Sequence, residues 1–88
     1  MASLRRRRVG VMVRDLDGDV LILDTEADQI HQLNRTASYI WRHIDEAPAP
    51  EQLASLLVDA FQVERQVALT DVLETLTRFR GLNLVLEG

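Results

Sequence analysis

His31 and His43 are the only imidazoles in this 88-residue chain, the side-chain type most often used as a general base. They lie on different segments, with no Asp or Glu at the spacing of a zinc motif. The spacing predicts an edge-strand His and a helix-surface His, and no metal. The hydroxyls of Ser3, Ser38 and Ser55 have no base beside them in sequence, so no activated nucleophile is recognisable. Cys and Lys are both absent. That removes thiolate chemistry, disulfides and Schiff bases, and it suits a cytoplasmic chain. The reading is that of a protein that is not an enzyme and needs no cofactor.

Three further groups invite a chemical reading. Asp15, Asp17, Asp19, Asp24 and Glu26 suggest a calcium loop, but the register fails. Counted from Asp15, Gly18 falls at the fourth place instead of the sixth, and the ligand positions are interrupted by apolar Val20–Leu23. A hairpin turn rich in Asp and Gly is the better account. Trp41 could stack on a base, yet it shares a stripe with Ile40 and Ile44, which favours the core. Arg65, Arg78 and Arg80 fall on one helical segment, but Asp71 and Glu74 would repel phosphates from its middle.

Charge is divided unevenly. All ten basic residues are Arg; residues 1–14 hold five of them and no acid, whereas residues 15–88 carry five Arg against fourteen acids. A net-acidic body argues against a nucleic-acid partner, because phosphate neutralisation needs a basic face. The block Arg5–Arg8 is expected to be part of a basic flexible arm over residues 1–8, preceding one domain over residues 9–88. No apolar run is long enough to span a membrane, so no membrane partner is expected.

The elements that must position these residues follow from periodicity. Val9, Val11 and Val13 alternate with Gly10, Met12 and Arg14, as in a half-buried strand. Asp17-Gly18 signals a hairpin into Val20–Leu23, and Gln29–Leu33 gives a third strand. At Asn34, a good N-cap (or Thr36 in that role), the period changes. Ala37, Ile40, Trp41 and Ile44 form the stripe of a first helix. Asp45–Pro50, with Pro48 within it, ends that helix, and Pro50 opens a second with Leu53, Leu56, Leu57 and Ala60 or Phe61 inward. A third helix over 65–80 turns Leu69, Val72, Leu73, Leu76 and Phe79 inward, with Gly81 as its left-handed cap. Leu82–Leu86 is a closing strand or a docked tail. The order β-β-β-α-α-α is that of an α+β, winged helix-turn-helix-like domain: a three-stranded antiparallel sheet followed by three helices.

Leu33-Asn34-Arg35-Thr36-Ala37 followed by Ile40-Trp41 is the most distinctive run. With Asp17-Gly18 before Val20–Asp24, and Asp71-Val72, Leu76, Phe79 and Gly81-Leu82 near the end, it resembles the PqqD-like family over about residues 9–86. The aromatic pair usual before Leu-Asn is Ile30 and His31 here, and a position of the third helix often held by Phe is Thr75. The resemblance implies a RiPP recognition element, a small non-catalytic domain that binds the leader of a ribosomally made precursor peptide. Such domains present it to a maturation enzyme, either a leader protease or a radical S-adenosylmethionine (SAM) enzyme. Stand-alone members of lasso-peptide pathways are the most similar in length and motif.

By the same resemblance, the leader pairs with the edge Gln29, Ile30, His31, Gln32 and Leu33, and the third helix forms the opposite wall. On that helix Ala68, Asp71, Thr75 and Arg78 follow i, i+3, i+7 and i+10 beside Val72, a mixed stripe suited to side-chain specificity. Two other readings compete. One is a winged-helix DNA-binding regulator with Arg5–Arg8 as a minor-groove arm. The other is a small subunit that only stabilises a larger enzyme.

Overall fold

The hairpin forms around Asp17 and Gly18, whose φ values are 54° and 93°. Two adjacent left-handed residues match the twist of the flanking strands, which is why Asp-Gly turns join them so tightly. Asp15 reinforces the turn by accepting the Gly18 N–H at 3.1 Å. The computed structural model describes residues 4–47 and 49–87. Residues 1–3 of the expected arm, and Pro48 of the expected helix breaker, lie outside them. Along the chain run β1 (Leu4–Arg6), β2 (Val11–Leu16), β3 (Asp19–Asp24), β4 (Gln29–Gln32), α1 (Arg35–His43), α2 (Pro50–Phe61), α3 (Arg65–Gly81) and β5 (Val85–Glu87).

The three central strands form an antiparallel sheet in the order β2-β3-β4, as the sequence predicts. In β3 the alternation is strict: Val20, Ile22 and Asp24 are buried and their neighbours half-buried. Leu33 then turns into the core, and Asn34 caps α1 by accepting the Ala37 N–H at 2.8 Å. Pro50 begins α2, where Gln52 reaches back to the Ala49 N–H at 3.0 Å. The core joins Val20, Ile22 and Leu33 to Ile40, Trp41 and Ile44, then to Leu53 and Leu57, and to Val72, Leu76 and Phe79. Trp41 is buried and meets Phe79 edge-on at 5.7 Å. α1 packs against β3, α2 and α3 and so holds the layers together.

Three expectations are corrected. In α3 the buried stripe is Ala68, Val72, Leu76 and Phe79, whereas Leu73 is exposed and Leu69 half-buried. Ala68 is fully buried, whereas Leu73 is 48% exposed on another face of the helix. Gly81 remains helical, and the left-handed residue is Asn83, at φ 57°. Asn83 N–H bonds to the Arg80 carbonyl (3.1 Å) and Leu84 N–H to that of Phe79 (2.9 Å), a Schellman closure that buries Leu84 on Phe79. Asn tolerates this conformation, so the helix runs one residue past the expected boundary.

The basic block is the third correction. Residues 4–8 are not a solvated arm, since β1 pairs antiparallel with β5, Arg5 opposite Leu86, in a two-stranded sheet. Leu4 is buried in the core. Arg6 donates through backbone and guanidinium to Asp45 (2.9–3.2 Å) and lies 6.0 Å from the Trp41 ring centre. Arg7 reaches buried Asp24 at 2.9 Å. A charge block reads as solvated only until partners elsewhere in the chain are brought to it.

Candidate peptide-binding edge

β4 pairs with β3 on one side and, among the described residues, with no strand on the other. The hydrogen bonding of its residues is fixed by the ladder. Leu33 donates to the Val20 carbonyl at 2.8 Å, so Leu33 and Val20 are a bonded pair. In an antiparallel ladder bonded and non-bonded pairs alternate. With Ile22 opposite His31 and Asp24 opposite Gln29, the backbone groups of Gln29, His31 and Leu33 therefore serve β3. Those of Ile30 and Gln32 point to the open edge. Side chains alternate the other way: Gln29, His31 and Leu33 share the helix-facing side with Ile22, while Ile30 and Gln32 share the outer face with Leu21 and Leu23.

Exposure sorts the five edge residues. Leu33 is fully buried and anchors the end of the strand. His31 is half-buried, and Gln29 and Gln32 are exposed. Ile30 is 68% exposed, a large apolar side chain with little cover. Of the α3 residues, Ala68 and Val72 are fully buried and belong to the core; Asp71 and Thr75 are half-buried and Arg78 is exposed. The stripe that can meet a ligand without repacking is thus Asp71, Thr75 and Arg78.

Two buried polar residues that periodicity leaves unremarked hold the edge in place. Ser38 accepts the Val20 N–H at 2.8 Å and donates to the Leu33 carbonyl at 3.2 Å. It thereby completes the sheet where β3 and β4 begin to part for α1. Asp24, on the buried phase of β3, accepts the N–H groups of Glu26 and Ala27 at 3.1 and 3.0 Å and pairs with Arg7. The Ala27 N–H, and then the Arg7 guanidinium, hold the Asp24 carboxyl below the usual carboxylate range. This fixes the turn from which β4 starts. The available signal is a charged residue in phase with Val20 and Ile22, since a buried charge requires a partner.

The remaining candidates are accounted for. His43 lies 3.2 Å from Glu46 and stacks on Tyr39 at 4.3 Å, well away from β4 in sequence. Among the described residues no group of three or more His, Asp or Glu is placed to hold a metal ion. Asp15 pairs with Arg42, which with the Gly18 N–H holds its carboxyl low; it braces the hairpin on α1. No helix of the described residues is long and apolar enough to cross a membrane.

Fold and edge together define the class: a winged helix-turn-helix-like domain with a three-stranded sheet, three helices, and β4 as an unpaired edge of that sheet among the described residues. The chain belongs to the PqqD family, whose model, Coenzyme PQQ synthesis protein D (PqqD), matches residues 19–85. It is similar to lasso peptide synthetase B1 complexed with the leader peptide, at 26% identity and TM-score 0.81 over 96% of this chain and 98% of that one. TbiB1 in complex with the TbiA(beta) leader peptide shares the fold, at 20% identity and TM-score 0.79 over 92% and 94%. No curated protein matches the chain with significance.

Proposed function

We propose that this chain binds the leader segment of a ribosomally synthesised precursor peptide and presents it to a maturation enzyme in a lasso-type RiPP pathway. The observation that carries this is the open β4 edge, with Ile30 and Gln32 aiming N–H and C=O outward. The fold that holds this edge is shared with two proteins whose structures contain a leader peptide. An extended leader adds as an antiparallel strand: main-chain bonds give affinity and alternate side chains give specificity. Side chains on the helix-facing side meet His31 and the Asp71–Thr75–Arg78 stripe. Those on the other side lie beside Ile30.

The chain acts by binding and not by catalysis, in the cytoplasm where the precursor is made. The receiving enzyme is a leader protease, with a radical SAM enzyme as the other class. The experiment is amide chemical-shift mapping during titration with the cognate leader. Shifts in Gln29–Leu33 and α3 support the site; shifts elsewhere with these elements silent reject it.

A further inference from the structure

Among the described residues β2 also has no strand on its outer side, which gives the sheet a second open edge. Thr25 donates to the Gly10 carbonyl, so by the same alternation Val11, Val13 and Asp15 aim their backbone groups away from β3. β2 carries no Pro, and its first half is apolar, with Met12 and Val13 45% and 43% exposed, ahead of exposed Arg14 and Asp15. Beside it lies a groove lined by Arg6, Arg7, Arg8, Val11, Val13 and Trp41. A wider depression of about 750 Å³ shares Arg6–Arg8 and adds Arg5, Val9 and Leu86, with Glu26 and Asp45 as its carboxylates.

The cations outnumber the anions there. Arg6 and Arg8 share the single carboxylate of Asp45, and Arg8 remains 77% exposed. Arg5 is exposed and has no ion-pair partner among the described residues. Everything from residue 15 onward is net acidic by nine charges. Exposed Arg5 and Arg8 therefore form a basic patch on a chain that is net acidic as a whole.

We propose that the β2 edge is a second strand-addition site, for an acidic extended segment of the maturation enzyme. Backbone pairing to Val11 and Val13 supplies the register, Arg8 in the adjoining groove selects carboxylate side chains, and Arg5 in the wider depression adds positive charge nearby. Because β2 and β4 flank β3 on opposite sides, leader and enzyme can be held at once by one sheet. This rests on the reading of β4 as the leader edge, but its test is separate.

The probe is a synthetic octapeptide of alternating Glu and Val, titrated into the labelled full-length chain, with a Lys–Val peptide as control. Expected are shifts at Val11, Val13 and Arg5–Arg8 with β4 silent, persisting when cognate leader is already bound. The Lys–Val peptide should bind at least about tenfold more weakly, and the difference should shrink as salt rises. Shifts at β4 instead, equal binding of both peptides, or no binding would each overturn the proposal. In a reconstituted reaction with the enzyme and precursor, Arg5→Glu combined with Arg8→Ala should lower conversion about tenfold at sub-saturating enzyme while leader affinity stays within about twofold. Unchanged conversion overturns the enzyme as occupant. Lost leader affinity would instead count against the division of the two edges. A matched melting temperature guards against misfolding of the variant.

Discussion

Trp41 joins two parts of the core, since it lies on α1 against Phe79 and beneath the Arg6 guanidinium. Trp41→Ala removes a large buried side chain from a core too small to close the gap, at a cost of about 3–5 kcal/mol. For a domain this size that is most of the stability, so loss of the cooperative thermal transition is the expected result. Asp24 acts through charge. Its carboxyl is held low, by the Ala27 N–H and then Arg7, as are those of Asp15 and Asp45. At Asp45 burial opposes the shift, and the Arg6 N–H and guanidinium outweigh it. A depressed folded-state pKa stabilises above the ordinary carboxylate range, and that stability is lost as pH falls through the folded value. The urea midpoint should therefore drop on acidification below roughly pH 4. Asp24→Asn should flatten this acid limb and lower the plateau above it. An unchanged pH profile in the variant would remove Asp24 from the account.

At the scale of elements, β4 makes a sharp distinction between neighbours. Ile30 N–H points to the open edge, whereas His31 N–H belongs to the β3 ladder. Ile30→Pro should leave the thermal midpoint within a few degrees while abolishing measurable leader binding by calorimetry. His31→Pro should instead destabilise the domain itself. The reverse ranking would mean that the register is shifted by one. At the end of α3, Asn83 holds a left-handed conformation that a β-branched residue resists. Asn83→Val should cost about 1–2 kcal/mol in chemical denaturation, and Asn83→Gly close to nothing.

At the scale of the whole molecule, the two chain ends are tied together. β1 lies on β5, Leu4 enters the core, and Arg6 and Arg7 bind Asp45 and Asp24 from distant parts of the chain. Deleting residues 1–8 should therefore lower the melting temperature by well over five degrees or so, since it removes a strand and the four ion pairs of Arg6, Arg7 and Arg8 together. A free arm would leave it unchanged, and calorimetry separates the two outcomes. The same ties link the arginine side of the sheet to the β3–β4 turn through Arg7 and Asp24.

Local information determined much of this protein. Alternation in Val20–Asp24, the Asp17-Gly18 turn, the Asn34 cap and the 3.6-residue stripe of Ala37, Ile40, Trp41 and Ile44 are short-range features. Each is governed by residues within a turn or two, so the three-stranded antiparallel sheet and the three helices after it were legible from the sequence, whereas β1 was not. The Leu-Asn-Arg-Thr-Ala run carried the family for the same reason. What required the tertiary structure was every choice between equivalent local options. Leu73 and Ala68 both fit a helical stripe, and only the approach of α1 and α2 buries one and exposes the other. Arg5–Arg8 looks like a solvated block until β5, Asp24 and Asp45 arrive from 17 to 81 residues away. Which N–H of β4 faces outward follows from one hydrogen bond between Leu33 and Val20, a contact across two strands that no local pattern encodes.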